Sequence, residues 1–175
     1  LGVRLSGPFH PEAPWYDNTV PLMPFDLSAA RNLLDQAGWV QDGAGGRRNQ
    51  AGEPLIITIT TSGGRDPAWV QAQAIIADAW KRLGVDVNIV TQEWNTYLDK
   101  TIVPFDFDTA IIGIETSKLE GKAKFMWHSD NTQSGGYNVA NYREADELVD
   151  SFESAVDEVS RVQIGRALHR RIAEF

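Results

Sequence analysis

Two aspartates near the third predicted strand come nearest, in type and spacing, to a catalytic pair. Asp106 and Asp108 flank Phe107, so on a β-strand both side chains would point to one face, where two carboxylates can act as general acid and general base. Alternatively, they are only the polar entry to a strand that follows Pro104. The chain has no GxSxG or SxxK nucleophile motif, so its residues favour a protein that is not an enzyme.

The histidines and cysteines do not indicate metal chemistry. His10, His128 and His169 are scattered, without HExxH or i, i+4 spacing, and the chain has no cysteine. A zinc site needs three or four convergent nitrogen, sulfur or oxygen ligands. The sequence therefore predicts no metal, no other cofactor and no cysteine nucleophile.

Glycines and aromatic residues follow the predicted strands, where α/β proteins bind ligands. Ser62, Gly63 and Arg65 lie between a strand and a helix, in a segment that could present N–H groups to an anion or could be only a tight connection. The aromatic candidates in or beside such segments are Trp94, Tyr97, Trp127 and Tyr137. Their rings could bind a small molecule, or they could pack loops on the body of the domain. Trp69 fits the core face of its helix.

Three strands must position these loops. Residues 55–61 are β-branched and nearly continuously apolar, residues 85–90 alternate, and residues 107–114 form a third strand pattern. Between the first two lies a helix with Asp66 as N-cap and Pro67 at its first position. This order is a βαβ unit with parallel strands. If the third strand is also parallel, the three following loops converge at one edge of the sheet.

The loop after the third strand supplies the polar candidates Glu115, Thr116 and Ser117. It opens a long polar segment, residues 115–141, with one helical turn expected around Trp127. A loop of this length in a compact domain is usually functional or mobile. We therefore expect it to take part in the binding surface.

Segments of different composition flank the α/β lobe, which we assign to residues 26–142. Residues 1–25 are rich in proline, which predicts an extended arm. The lobe opens with a short helix capped by Asp26, and the glycine-rich residues after it are a surface turn or loose hairpin with Arg47. Residues 143–175 form a pair of helices packed on the same lobe. Their periodicity places the first helix over 145–159 and begins the second at Ser160.

Size and charge limit the possible partners. The chain has 175 residues, enough for a single domain with a real core. Its net charge of −8 argues against binding nucleic acid, which requires a basic surface. No apolar run approaches the roughly 20 residues of a membrane-spanning helix. The chain begins with Leu1 rather than Met and has no signal peptide, so we expect it to be part of a longer protein.

Several segments follow the order of a known family. Residues 25–39 read FDLSAARNLLDQAGW, residues 77–87 read ADAWKRLGVDV and residues 107–113 read FDTAIIG, while Asn138 begins a last block that continues to residue 149. The first segment is similar to the signature YDPEKAKKLLDEAGW of family 5 extracellular solute-binding proteins. These are the oligopeptide, dipeptide and nickel-type receptors of ABC importers. The chain resembles that family over nearly its whole length.

The resemblance implies one lobe of a periplasmic-binding-protein type II-like fold, an α/β fold with a mixed, partly parallel sheet and flanking helices. It implies the second large lobe of a longer receptor, with the first lobe missing from this chain. It also implies non-catalytic binding of a peptide-like or other small polar solute, delivery to a membrane permease, and a periplasmic or extracellular location, with a lipid anchor possible in the full-length protein. Asn138 joins the candidate ligand-binding residues on this ground. The alternative is a free-standing α/β hydrolase that uses a carboxylate pair.

One departure from the family pattern affects the ligand. Peptide-binding members resemble one another in the sequence W..D..(D/E)P after the third strand, whose first acid faces the peptide amino group. Here Ile114 stands in place of the tryptophan and Ser117 in place of that acid, while Glu115 could substitute. A peptide, a sugar, an opine or another polar solute therefore stays open as the ligand.

Overall fold

Helices and strands are interspersed up to residue 113, and helices follow, in the computed structural model. It describes residues 2–113 and 123–174. The strands are β1 (Val40–Gln41), β2 (Arg47–Arg48), β3 (Ile56–Ser62), β4 (Asp86–Gln92) and β5 (Thr109–Ile111). The helices are α1 (Leu27–Gln36), α2 (Pro67–Lys81), α3 (Trp94–Tyr97), which continues as a π-helical turn (Leu98–Ile102), α4 (Ala123–Trp127), α5 (Asp146–Ser154) and α6 (Glu158–Ala173). A 3₁₀ turn spans Ser129–Asn131.

Contacts group the described residues into two units. The contiguous segment Phe25–Gly113 is the sheet unit, and residues 2–24 together with 123–174 are the helical unit. The division into arm, lobe and helical pair stays a prediction. Within the described part of the chain, no helix has both the length and the apolar character needed to cross a membrane.

The sheet unit is built on three parallel strands in the order β4-β3-β5. β3 pairs with β4 along its whole length, from Ile56 opposite Asp86 to Ser62 opposite Gln92, and Ile59 to Thr61 pair with β5. The predicted βαβ unit is confirmed, and the third strand is parallel as well. Since parallel strands share a direction, their carboxyl ends meet at one edge of the sheet.

Helix α2 is attached to β3 and to β4 through a buried amide. It begins as predicted, because the Asp66 carboxylate accepts a hydrogen bond from the backbone N–H of Ala68 and Pro67 occupies the first turn. The Gln73 Nε2 group donates to the carbonyls of Ile59 and Val90 at 2.7 and 2.9 Å. These two bonds hold α2, with the loop that precedes it, against the sheet.

The third strand is shorter than predicted from the sequence, which assigned it residues 107–114. β5 covers only Thr109–Ile111, and Ile114 lies outside the described residues. The Asp108 carboxylate accepts a hydrogen bond from the backbone N–H of Thr58 at 2.8 Å. A side chain therefore takes the donor that a longer strand would have paired with.

The glycine-rich segment after α1 is a hairpin, with β1 antiparallel to β2. Arg47 was predicted to lie in a surface turn. That prediction is wrong, because Arg47 is only 2% exposed. Its Nε donates to the carbonyl of Leu83 at 2.6 Å, and its guanidinium also bonds to the Asp35 carboxylate and the Trp39 carbonyl. Acceptors at the ends of α1 and α2 thus satisfy a buried cation.

The proline-rich arm completes the core of the helical unit. Residues 2–24 contain turns but neither helix nor strand. Phe9 and Trp15 pack on Phe152 of α5, with ring centroids 5.8 and 5.4 Å apart, and the neighbouring Leu168 of α6 is fully buried. The arm therefore supplies apolar surface that α5 and α6 need in order to bury their own.

The boundary between the last two helices lies earlier than predicted. α5 ends at Ser154 and α6 begins at Glu158, because the Asp157 carboxylate accepts from the backbone N–H of Ser160 at 2.8 Å and caps the new helix. Val156, which fits the apolar period of the sequence, is fully exposed.

Candidate functional site

The carboxyl edge of the parallel sheet brings together the predicted binding residues of the sheet unit. Ser62 ends β3, Gly63 and Arg65 lie in the loop between β3 and α2, and Trp94 and Tyr97 belong to α3, which follows β4. The convergence predicted from the order of strands and loops is therefore observed for two of the three loops. Glu115, Thr116 and Ser117, in the third, lie outside the described residues.

An exposed cation and two indole rings form the surface of this edge. The Arg65 guanidinium carbon lies 4.2 Å from the centroid of the Trp94 ring, and the rings of Trp94 and Trp69 are 6.2 Å apart with planes inclined by 47°. Arg65 is exposed and both tryptophans are partly exposed. We call Arg65, Trp69 and Trp94 the indole–guanidinium platform. Such a surface can stack on flat or apolar groups and attract an anion.

Tyr97 supports the platform from inside the unit. Its ring is fully buried, 6.2 Å from that of Trp94, and its hydroxyl donates to the carbonyl of Ile111 at 3.0 Å. The hydroxyl of Thr61 donates to the same carbonyl at 3.1 Å. Burial raises the pKa of Tyr97 to about 12, so the phenol remains a neutral donor that fixes the end of β5. Contact of Tyr97 with a ligand stays a prediction.

Two glycines at this edge allow close packing. A Cβ atom on Gly113 would lie 2.7 Å from Cζ2 of Trp69, and one on Gly63 would lie 2.7 Å from the methyl of Thr91. Both distances are below any normal carbon–carbon contact. Ser62 is fully buried, and its hydroxyl has no hydrogen-bond partner in the described ranges.

Trp69 was not among the residues predicted to bind a ligand, because its helical period placed it on the core face of α2. Trp69 lies in the first turn of α2 and is only partly buried. A usable signal existed: a helix that starts directly after a parallel strand has its first turn at the carboxyl edge of the sheet. Gln73 was missed as well, although a glutamine among apolar residues on a helix indicates a buried hydrogen-bonding role.

The three remaining candidates belong to the helical unit. The Tyr137 ring is 57% exposed and stacks on Phe125 with centroids 4.0 Å apart. Trp127 is partly buried and packs edge-on against Tyr142. Asn138 is fully buried, and its amide donates to the carbonyls of His128 and Tyr142 and accepts from the Tyr142 N–H. Asn138 therefore shapes its own loop, and ligand contacts of all three residues stay predictions.

One of the two carboxylates of the hydrolase alternative is engaged in the sheet. Asp108 is engaged with the Thr58 N–H, and Asp106 lies beside it at an open concavity of about 330 Å³ lined also by Thr60 and Phe107. A hydrogen bond to the backbone gives Asp108 a role in the strand pairing. Across residues 2–113 and 123–174, no three His, Asp or Glu side chains are grouped as a metal ion requires.

A larger open concavity, of about 640 Å³, lies at the opposite edge of the sheet. It is lined by the glycines of the β1–β2 hairpin and by the first residues of β4. A Cβ atom on Gly84 would lie 2.6 Å from the carbonyl oxygen of Gly45, so this space borders a packed junction. Ligands of open parallel sheets bind at the carboxyl ends of the strands, which favours the platform as the functional surface.

Known proteins similar to this chain belong to the family that its sequence segments resemble. The family described as bacterial extracellular solute-binding proteins, family 5 Middle, matches residues 1–136. Oligopeptide-binding protein AppA of Bacillus subtilis (strain 168) is 24% identical over 90% of this chain and 29% of its own length. Protein XP55 of Streptomyces lividans is 27% identical over 95% of this chain and 30% of its own length. The chain thus spans about three-tenths of the length of these curated relatives.

Solved structures share the fold. The structure of AppA from Bacillus subtilis in complex with a nonapeptide has a TM-score of 0.87 at 22% identity, over 99% of this chain and 35% of that one. The oligopeptide binding protein from Thermus thermophilus, complexed with a pentapeptide, has a TM-score of 0.81 at 19% identity, over 97% of this chain and 31% of that one. The predicted periplasmic-binding-protein type II-like fold is confirmed, and so is the predicted family. The chain belongs to the bacterial extracellular solute-binding proteins of family 5.

Proposed function

We propose that this chain is the solute-recognition lobe of an ABC-importer binding protein, and that it binds its solute without transforming it. The observation that carries the proposal is the position of the indole–guanidinium platform at the carboxyl edge of the β4-β3-β5 sheet. This edge forms one wall of the ligand cleft. A wall with two indole rings and one cation binds through stacking and charge.

The support beneath the platform favours a binding role over simple packing. Tyr97 and Thr61 fix the end of β5, and Gln73 fixes β3, β4 and α2 with respect to one another. Rigid support lowers the entropy cost of binding, because fewer side chains must be ordered when the solute arrives. The exposed groups are therefore presented in one geometry.

A peptide-like or other small polar solute is the proposed ligand. AppA and the Thermus thermophilus protein hold peptides in their solved structures, and a peptide offers both apolar side chains for the indoles and polar groups for Arg65. Glu115, Thr116, Ser117, Trp127, Tyr137 and Asn138 remain the proposed further contacts. Of the described residues among them, Tyr137 presents the largest exposed ring.

The proposed partners lie in the rest of the receptor and in the membrane. A first lobe, outside this chain, would form the facing wall of the cleft, and a membrane permease would receive the solute. We place the full-length protein in the periplasm or outside the cell, free or held by a lipid anchor. A single wall loses about half of the contacts that bury a ligand, so this chain alone should bind weakly.

A binding assay on the full-length receptor that carries this chain tests the proposal. Calorimetric titration with pentapeptide pools and with oligosaccharides should identify a bound solute, and mass spectrometry should recover it unchanged. Trp94→Ala should weaken binding about tenfold or more, because loss of a stacked indole costs about 1–3 kcal/mol. Phe25→Ala, which removes a ring that is 72% exposed in the same unit, should have no effect. Chemical turnover of the solute, or binding unaffected by Trp94→Ala, would contradict the proposal.

A further inference from the structure

The arm, residues 2–24, packs on the imidazole of His169. This histidine belongs to α6 and is fully buried. Phe9 stacks on its ring and Tyr16 meets the ring edge-on, with centroids 5.9 and 4.6 Å away. A Cβ atom on Gly7 would lie 2.6 Å from Cε1 of the ring, so the contact has no space for even one methyl group. The arm therefore depends on the state of a buried titratable group.

The hydrogen bonds of His169 suit a neutral ring. Nε2 lies 3.3 Å from Oγ of Ser6, which is itself 2.9 Å from the hydroxyl of Tyr16. Nδ1 is buried and has no hydrogen-bond partner within the described ranges. A neutral imidazole carries one N–H group, whereas the protonated ring carries one on each nitrogen. Protonation inside this contact would bury a charge together with an N–H donor that has no acceptor, and both are unfavourable.

The charges that act on His169 come from the arm and from α6. Asp17 of the arm favours the protonated ring, and Arg170 of α6 disfavours it; the neighbouring α5 meets the arm here with the apolar ring of Phe152. Hydrogen bonds from the hydroxyl and N–H of Thr19 hold the pKa of Asp17 at about 2. Asp17 and Arg170, which form an ion pair, therefore keep their charges between pH 7.5 and 5.5. In that range the change of charge at this contact falls on His169.

We propose that His169 is a pH-sensitive latch, whose proton uptake in mild acid shifts the helical unit toward an open form with the arm released and α5 and α6 still folded. In the open form the ring reaches water, which stabilises the proton. The arm can open separately because it contains turns but neither helix nor strand, whereas α5 and α6 keep their own helical hydrogen bonds. This inference does not depend on the proposed binding of a solute.

Hydrogen exchange of the full-length receptor that carries this chain tests the latch. Mass spectrometry follows two peptides at pH 7.5 and 5.5. The first comes from the arm and contains Ala13 and Tyr16, whose N–H groups donate hydrogen bonds within the arm at 2.9 Å. The second is α5, Asp146–Ser154. Each exchange rate is compared with that of an unstructured reference peptide at the same pH, because the chemistry of exchange itself depends on pH.

We expect the protection of the arm peptide to fall severalfold between pH 7.5 and 5.5. The upper limit is about tenfold, because pH 5.5 lies about one unit below the ordinary pKa of histidine, which His169 regains when the arm opens.

Two neutral variants and one control assign the effect to His169. His169→Gln and His169→Phe cannot take up a proton, so the arm should be equally protected at both pH values in each. His169→Phe also keeps a ring to pack on Phe9, and it provides the test if glutamine alone loosens the arm. His10→Gln removes an exposed histidine of the arm itself and should keep the pH dependence of the wild type.

Urea separates release of the arm from unfolding of the whole unit. The urea dependence of an opening scales with the surface that it exposes, so at pH 5.5 about 1 M urea should speed exchange in α5 more than in the arm. Equal protection of the arm at the two pH values, or a pH dependence that survives in both neutral variants, would overturn the latch. The same urea dependence in the arm and in α5 would also overturn it, because the arm would then open only with the unit.

Discussion

Buried polar side chains in this chain donate hydrogen bonds to backbone carbonyls of other segments. Gln73 joins the carbonyls of Ile59 and Val90, Tyr97 reaches the carbonyl of Ile111, and Asn138 closes its loop onto Tyr142. Each side chain is almost completely removed from water, where an unpaired partner would be costly. The groups left for a ligand are accordingly the exposed ones, such as Arg65.

Gln73→Leu tests this role of a buried amide. The substitution keeps a similar volume but removes two hydrogen bonds that α2 donates to the carbonyls of Ile59 and Val90, so the free energy of unfolding should fall by about 1–3 kcal/mol. Urea denaturation followed by circular dichroism measures it. Gln71→Leu changes an exposed residue of the same helix and should stay within about 0.5 kcal/mol of wild type. Equal effects of the two substitutions would refute the proposed role.

His169 is a buried base at the contact between α6 and the arm. Its ring stacks on Phe9 and meets Tyr16 edge-on, at centroid distances of 5.9 and 4.6 Å. Gly7 packs so closely on the ring that a Cβ atom there would lie 2.6 Å from Cε1. Burial lowers the pKa of His169, an effect that Arg170 reinforces and Asp17 opposes. The folded chain therefore holds this histidine neutral.

The stability of the protein should fall as the pH drops below about 6.5, the ordinary pKa of histidine. Above that pH His169 is neutral in both the folded and the unfolded chain. Below it, the unfolded chain binds a proton at His169 more readily than the folded chain, where the pKa is lower, and this difference favours unfolding. Urea midpoints at pH 7.5 and 5.5 measure the change, which should be smaller in His169→Gln. His10→Gln, at an exposed position, should keep the wild-type dependence. If His169→Gln leaves the dependence unaltered, the assignment to His169 is wrong.

At the scale of elements, local sequence patterns predicted the βαβ unit correctly but did not predict contacts between residues far apart in the sequence. The apolar run of β3 and the Asp66–Pro67 start of α2 are local signals, and both were read correctly. Arg47 looked like part of a surface turn because its acceptors, such as the carbonyl of Leu83, lie 36 residues away in the sequence. The exposed Val156 continued an apolar period by coincidence, since a cap at Asp157 starts a new helix.

Gly165→Ala should reveal how tightly α6 packs on its neighbours. In an open helix this change would stabilise by about 1 kcal/mol. Here the added Cβ would lie 2.4 Å from Cβ of Trp15 and 2.8 Å from the Phe152 ring, so we expect a net loss of about 1–3 kcal/mol. Thermal unfolding measures it. Gly43→Ala, at a position with open space around it, serves as the neutral control. A rise in melting temperature for Gly165→Ala would contradict this prediction, because it would mean that Trp15 and Phe152 move to accept the methyl group without a loss of stability.

At the scale of the whole molecule, sequence periodicity could not show which segments share a core. The arm at the start of the chain packs with helices at its end: Asp17 forms an ion pair with Arg170, and Phe9 packs on Phe152. Such contacts join residues more than 140 positions apart, and no local pattern encodes them. The candidate site shows the same limit. Arg65 and Trp94 were found because they follow strands, whereas Trp69 was missed and the burial of Tyr97 depends on packing from several elements.

The grouping of contacts leads to a last prediction: the segment Phe25–Gly113 should fold in isolation. It is contiguous, and all three parallel strands lie within it together with the side-chain attachments made by Gln73, Tyr97 and Arg47. A segment of this size is near the lower limit for an independent core, so its stability should be only a few kcal/mol. Dispersed amide resonances and a cooperative urea transition would establish folding.

Gln73→Leu provides the internal control for that experiment. If the isolated segment uses the same sheet as the full chain, losing about 1–3 kcal/mol should remove a large part of its stability, and the variant should unfold at a clearly lower urea concentration. Gln71→Leu should leave it folded. A segment that is unfolded without substitution, or folded equally well with Gln73→Leu, would mean that the sheet depends on contacts beyond residues 25–113. The platform of Arg65, Trp69 and Trp94 would then owe its geometry to the rest of the chain.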